Sequence, residues 1–295
     1  MKKSKTPKIS VIIPAYNAEK TLRKCLLSVL KQDYKDYEII VCNNNSTDKT
    51  GQIIKESQKN NKKIKPVFEK KKGRGPARNA CIRKASGKII LMIDSDCIAP
   101  ENWIKKMTQL IINGKESVTM SGEEDLIGNY WTKRIQKANS DFVRIGLKNG
   151  YAHNIDTKNF AIRSDIMKEL MFDSQLKALE DFEFYLRLKK IAKIRFIEDA
   201  RVGHCHPSSF KKLARTNFDR AYAAKIIFDK HKGSSDLKNE PMTQSLSLIN
   251  FLMFPPWILF QFFKKPFKDA YFTLVADASW RLGIIWSGLN KLFRR

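Results

Sequence analysis

Acidic residues are scarce in this chain. Asp and Glu number 30 against 56 Lys and Arg, a formal net charge of +26 over 295 residues. Such an imbalance draws a protein to polyanions: nucleic acid, an anionic membrane surface or phosphorylated substrates. Cysteines are few and odd in number, and Cys25, Cys42, Cys81, Cys97 and Cys205 have neither metal-type nor disulfide-type spacing. A disulfide scaffold is excluded, and cysteine reads as a small hydrophobe in a reducing compartment. The N-terminus is basic, and only a five-residue, mostly apolar run precedes Pro14. A secretory signal needs an apolar stretch of roughly 7–15 residues, so a cytoplasmic location is expected. No helix-turn-helix, zinc or RNA-binding motif is present, and no nucleic-acid partner is expected despite the charge. There is no internal repeat. Apolar residues make up 42%, enough for a packed core in one large α/β domain plus an appendage.

The first hundred residues alternate strand and helix signals. Residues 9–13, 38–42 and 88–93 are short apolar runs of the kind that form strands buried on both faces. Residues 66–68 read as a weaker strand. Asn17 is placed to cap a helix bearing Leu22, Leu26, Val29 and Leu30 on one face. A second helix carries Ile53 and Ile54, a third runs from Pro76 to Ala85, and Pro100 opens a fourth. Buried strands separated by helices predict a parallel sheet with right-handed crossovers. Ligands in such sheets sit beyond the carboxyl ends of the strands, where the loops after Ile13, Cys42 and Ile93 fall. Further on, the pattern predicts helices over 131–147, 180–191 and 209–230, and short strands over 160–162, 194–197 and 201–203. Gly233-Ser234-Ser235 reads as a linker.

Asp94-Ser95-Asp96 follows the last of the apolar runs directly. Two carboxylates one residue apart on a turn are hard oxygen ligands for Mg²⁺ or Mn²⁺, which also engage diphosphates. The same residues also suit an ordinary turn.

An ordered series of motifs surrounds this turn. It comprises residues 11–17, Gln32-Asp33-Tyr34, residues 38–41, Asn45-Ser46-Thr47-Asp48, Gly75, Ala77-Arg78-Asn79, Ala85-Ser86-Gly87, Glu180-Asp181 and His204 or His206. Over about Lys8 to Phe218 the chain resembles the GT-A-fold glycosyltransferase family 2. The resemblance implies an α/β GT-A fold, Rossmann-like and mainly parallel, and an inverting transfer from a nucleoside-diphosphate sugar to a hydroxyl acceptor. It implies Asp96 as metal ligand, with His204, favoured over His206 by its place in the motif, completing the shell. Pro14, Ala15, Tyr16, Asn17, Asn43, Asn45, Arg78, Asp94 and Ser95 become the nucleotide-sugar contacts. Asp181, beside Glu180, becomes the general base. Family members often carry an acidic residue in the turn that here reads Asn43-Asn44-Asn45. Asn offers a donor as well as an acceptor, so UDP-, GDP- and dTDP-sugars all stay open.

The last sixty residues change character. Residues 246–263 carry no charge but are interrupted by Pro255-Pro256, and residues 269–293 form a long helical pattern carrying Asp277 and Arg281. A spanning helix needs roughly 20 apolar residues, and an ion pair in lipid is costly. Lys264, Lys265, Lys268, Lys291, Arg294 and Arg295 favour a re-entrant or in-plane arrangement that keeps them all on one side of an anionic membrane. The expected organisation is a catalytic domain over 1–235 and membrane-associating helices over 236–295, peripheral or monotopic at the cytoplasmic face. The expected acceptor is a lipid-linked glycan or cell-surface polysaccharide precursor. A catalytically silent partner subunit and a basic nucleic-acid binder are the competing readings.

Overall fold

The computed structural model describes residues 8–206, 209–232, 237 and 252–292. Contacts divide the chain into two compact units, one within Met1–Gly128 and Thr132–His206, the other within Asn129–Trp131 and Pro207–Arg295. The expected boundary at 235 and its glycine-serine linker lie outside the described residues.

The first unit begins with β1 (Ile9–Ala15), α1 (Leu22–Leu30), β2 (Tyr37–Asn43), α2 (Thr50–Asn60), β3 (Ile64–Phe68), α3 (Arg74–Lys84) and β4 (Ile89–Ile93). These strands are parallel, in the order β3-β2-β1-β4. Alternate residues of a strand face opposite sides, so each face receives its own core. Ile9, Val11 and Ile13 pack with α1 and Trp103, while Ile12, Ile40 and Met92 pack with Ala77, Cys81 and Phe184. Burial on both faces is why these strands read as nearly unbroken apolar runs.

Then come β5 (Cys97–Ile98), α4 (Trp103–Ile112), β6 (Val118–Met120), β7 (Glu123–Asp125), α5 (Tyr130–Ile145), β8 (Leu147–Lys148), β9 (Tyr151–Ala152), β10 (Asn159–Arg163), α6 (Ser164–Leu170), α7 (Glu180–Leu188), β11 (Ile194–Phe196) and β12 (Val202–His204). The sheet continues β4-β10-β6-β11-β9-β8, with β10 antiparallel to both neighbours. The sheet is therefore mixed. A separate three-stranded sheet, β5-β12-β7, forms beyond the end of β4.

Two family motifs have structural explanations here. Buried Glu38 accepts hydrogen bonds from Ser10 Oγ, Ser86 N and Ser86 Oγ at 2.7–2.8 Å and pairs with Lys65. It thereby ties β1, β2 and the α3–β4 turn together. Gly87 lies against the β1 backbone, where a Cβ would stand 2.6 Å from Ser10 N and 2.8 Å from Lys8 O; only glycine permits that approach.

Three local expectations are corrected. Asn17 caps no helix, since α1 starts five residues later. Its backbone is left-handed (φ 47°), and its Oδ1 accepts from Thr47 N at 2.9 Å, joining the β1 and β2 turns. The helix at Pro100 starts at Trp103, after left-handed Asn102. Ile191 lies beyond the end of α7 and is exposed, so it is not part of that helix's buried face.

The second unit contains α8 (Phe210–Lys230), α9 (Phe254–Lys264) and α10 (Phe267–Leu292). Ser209 caps α8 with its side chain. Gly283 brings α10 against α8: a Cβ there would fall 2.3 Å from Phe218 O. Pro255 and Pro256 lie in the first turn of α9, at positions whose backbone N–H groups need no intrahelical partner. Asp277 and Arg281 pair within α10 at 3.2 Å. Among the described residues no helix is long and apolar enough to cross a membrane. The uncharged residues 246–251 and Phe293 lie outside the described residues.

Candidate active site

The carboxyl ends of β1, β2 and β4 carry the expected residues. Pro14 and Ala15 close β1, and Ala15 O accepts from Asn44 N at 2.9 Å. Tyr16 projects outward, half exposed, with Lys72 Nζ 5.1 Å from its ring centre and 3.3 Å from its hydroxyl. After β2, Asn43 Oδ1 accepts from Ser46 N at 3.0 Å, and Asn45 is left-handed with its amide 3.4 Å from Lys70 O. Asn44 between them is buried. Its amide donates to Glu69 O and Lys71 O, and its oxygen accepts from Gly73 N at 2.8 Å. Asn44 clamps the 69–73 segment, a shaping role that no sequence signal separated from those of its neighbours.

The acidic turn follows β4. Asp94 O accepts from Cys97 N at 3.0 Å, and Ser95 is partly exposed. Arg78 on α3 is only 2% exposed, and its guanidinium donates to Asp94 Oδ1 at 3.0 Å and to Glu180 Oε1 at 2.6 Å. Arg78 is thus a buried link between two expected site residues. Burial alone would raise the Asp94 carboxyl, but Arg78 and Arg74 outweigh it and hold it low. Glu180 goes the other way: burial and the adjacent Asp181 raise it despite Arg78. The link also fixes the first turn of α7, where Asp181 is more accessible than Glu180 and its Oδ1 accepts from Phe182 N at 2.8 Å.

Asp96, its side chain 41% exposed, faces His204 across the small sheet. Its Oδ2 lies 3.4 Å from His204 Nε2, and its carbonyl accepts from Cys205 N. Two ligands on adjacent corners of an octahedral Mg²⁺ or Mn²⁺ would stand roughly 3 Å apart. One carboxylate and one imidazole whose facing atoms stand 3.4 Å apart therefore fit a divalent cation. Burial lowers the His204 pKa, but Asp96 and Glu123 more than reverse this and lift it to about 9. His206 is buried, and its Nε2 is engaged with Gln136 Oε1 at 2.8 Å, so among these contacts it is His204 that meets Asp96.

Behind His204 lies a group that sequence reading did not single out: Glu123, Asp156 and Lys158. All three are at least partly buried, and Lys158 pairs with both acids. They come from β7 and the segment before β10. Only the pairing of β7 with β12 brings Glu123 to the histidines.

Residues 10–171 match the family model of glycosyl transferase family 2, and the chain belongs to that family. It is 34% identical over 125 residues to the glycosyltransferase GlyA of Streptococcus pneumoniae, covering 42% of this chain and 17% of GlyA. It is 35% identical over 121 residues to the UDP-Glc:alpha-D-GlcNAc-diphosphoundecaprenol beta-1,3-glucosyltransferase WfgD of Escherichia coli, covering 41% of this chain and 47% of WfgD. The match therefore takes in less than half the length of either relative. Among solved structures, the mannosyltransferase PcManGT of Pyrobaculum calidifontis, bound to GDP-Man and Mn²⁺, superposes with a TM-score of 0.69. At 15% identity it covers 98% of this chain and 89% of that one, and it shows the shared fold.

Proposed function

We propose that this glycosyltransferase inverts the anomeric centre as it moves a sugar from a nucleoside-diphosphate donor to a hydroxyl acceptor. The observation that carries the reading is the meeting of Asp96 with His204 at the end of β4, where Arg78 also holds Asp94 to the start of α7. Asp96 and His204 would hold Mg²⁺ or Mn²⁺. The ion's contribution, when bound, is to neutralise charge on the departing nucleoside diphosphate. Tyr16, the Asn43–Asn45 turn and Lys72 would receive the nucleotide, Tyr16 offering its exposed ring to the base. Asp181 would take the proton of the acceptor hydroxyl as that oxygen attacks the anomeric carbon from the face opposite the leaving group. Its place beside buried Glu180 fixes its position without burying it.

The proposed acceptor is a lipid-linked glycan or envelope-polysaccharide precursor. WfgD, by its name, acts on a diphosphoundecaprenol-linked sugar, which supports that class. The second unit supports an anionic membrane surface, at the cytoplasmic side, as its partner. On α9 and at the start of α10, Trp257, Leu259, Phe260, Phe263 and Phe267 are exposed while polar Gln261 is buried, and Lys264, Lys265 and Lys268 lie in the same segment. An apolar outer face with basic neighbours is the signature of a helix lying in a membrane interface.

The test is nucleoside-diphosphate release from UDP-, GDP- and dTDP-sugars with Mn²⁺ or Mg²⁺, and with a chelator, using undecaprenyl-diphosphate-linked GlcNAc as acceptor. Metal-dependent release from one donor is expected, lost in Asp96→Ala and reduced 10²–10⁴-fold in Asp181→Asn. Turnover that survives both substitutions would refute the assignment. Donor binding without turnover in the unsubstituted protein would favour the silent-subunit reading.

A further inference from the structure

The cluster behind His204 has no part in the proposal above, yet its geometry bears on it. Glu123 Oε2 lies 2.7 Å from His204 Nδ1 and 3.0 Å from Lys158 Nζ. Both approaches are bent away from ideal hydrogen-bond angles. Glu123 Oε1 is held separately, accepting from Asn139 Nδ2 at 2.6 Å, and the carboxylate is only 4% exposed. An imidazole nitrogen and a carboxylate oxygen 2.7 Å apart repel through their lone pairs unless one of them carries a proton. Lys158 Nζ, 3.0 Å from the same oxygen, supplies the positive charge that favours the ionised carboxylate, so the proton belongs to the ring nitrogen. Nδ1 therefore keeps its proton toward Glu123, and Nε2, which faces Asp96, is the nitrogen that gives up its proton when a cation binds.

Glu123, His204 and His206 also lie close enough together to be considered as a cation site in their own right. Charge argues against it. Lys158, its side chain 15% exposed, already places an ammonium on Glu123 and pairs with Asp156 as well. A divalent ion there would face a desolvated positive charge a few ångströms away. His206 is committed to Gln136, whose own amide donates to Glu123 O at 2.8 Å. The inner cluster is already balanced, and its open end is the Nε2 of His204.

We infer that Glu123, backed by Lys158, is a positioning residue that fixes the tautomer and ring direction of His204 so that Nε2 is presented to a divalent cation shared with Asp96. The inference rests on the metal-dependent reading of the site. Carboxylate partners of this kind orient a ligating histidine and raise its basicity, and losing one costs about 10–100-fold in metal affinity.

The experiment is Mn²⁺ binding to the full chain, followed by the electron paramagnetic resonance of free Mn²⁺, with and without UDP or GDP. Unsubstituted protein, Asp96→Ala and Glu123→Gln are compared, with thermal melting as the check on folding. One Mn²⁺ per chain is expected. Binding should be lost in Asp96→Ala and weakened at least tenfold in Glu123→Gln, each measured well below that variant's own melting temperature. A second readout needs no substitution: with bound ¹¹³Cd²⁺, long-range nitrogen spectra of His204 should show the proton on Nδ1 and the cadmium coupling on Nε2. Normal Mn²⁺ affinity in Glu123→Gln, two ions per chain, or cadmium on Nδ1 would overturn the inference while leaving the metal-dependent reading in place. No Mn²⁺ uptake by the unsubstituted protein under any of these conditions would remove both.

Discussion

Replacing Arg78 by Met should destabilise the first unit severely. The guanidinium is 2% exposed and reaches Asp94 at 3.0 Å and Glu180 at 2.6 Å, the latter carboxylate also only 2% exposed. Removing one member of a buried ion pair leaves its partner desolvated and uncompensated, at a cost of about 3–5 kcal/mol. Asp94 retains some solvent, and Glu180 is already raised by burial and by Asp181, so it can take up a proton rather than stay charged. That relief places the expected loss toward the lower end, about 3 kcal/mol. Urea unfolding at neutral pH, followed by tryptophan fluorescence, would measure it; Trp103 is buried in this unit. Arg78→Met/Glu180→Gln should lose at least about 1 kcal/mol less than the sum of the single losses, because the groups share one network. Arg78→Lys should fall between, since a single ammonium does not offer the planar fork that spans two carboxylates. A loss below about 1 kcal/mol for Arg78→Met, or strict additivity in the double variant, would refute this account of the link.

Two further expectations are open to direct measurement. Glu38 has its carboxyl lowered from an ordinary 4.5 to about 2, because Lys65, Ser10 and Ser86 overcome the effect of burial. A lowered folded-state pKa adds stability that is full above about 4.5 and is lost as pH falls toward 2, up to roughly 3 kcal/mol in all. The stability gap between the natural protein and Glu38→Gln should therefore shrink by roughly 1–2 kcal/mol between pH 6 and pH 3.5; a gap independent of pH would contradict the assignment. For the second unit, Phe260→Glu/Phe263→Glu should weaken co-flotation with anionic vesicles at least tenfold, since a buried Phe contributes about 1.5–3 kcal/mol. Vesicle binding that is unchanged in this variant would exclude α9 as the contact.

Much of the first unit was legible in the order of residues. Strands buried on both faces must be apolar throughout, and the runs ending at Ile13, Cys42 and Ile93 have no other use in a chain this polar. Because side chains alternate along a strand and ligands gather at carboxyl ends, the position of Asp94 and Asp96 followed from the run before them. The turn residues Asn17 and Asn45 were visible as site candidates, but not their left-handed backbones or the bonds that tie the β1 and β2 turns together. Antiparallel β10 was visible as a strand but not as the insertion that makes the sheet mixed, because pairing direction leaves no mark on local hydrophobicity.

What only the tertiary structure decided is the set of contacts made across long stretches of chain. Arg78 was visible in sequence as a motif residue and an expected nucleotide-sugar contact; it becomes a buried link only because the N-terminal halves of α3 and α7 meet at the tip of β4. Glu123 sits in an acidic triplet with no periodicity to single it out, and strand pairing alone sets it against His204. Which of His204 and His206 lies against Asp96 was likewise decided by the tertiary structure, since residues two apart can differ entirely in what they meet. Chain order specified which residue types were available at the sheet's edge. Register between distant strands determined which of them meet, because that depends on where non-adjacent segments close on one another and not on any local preference.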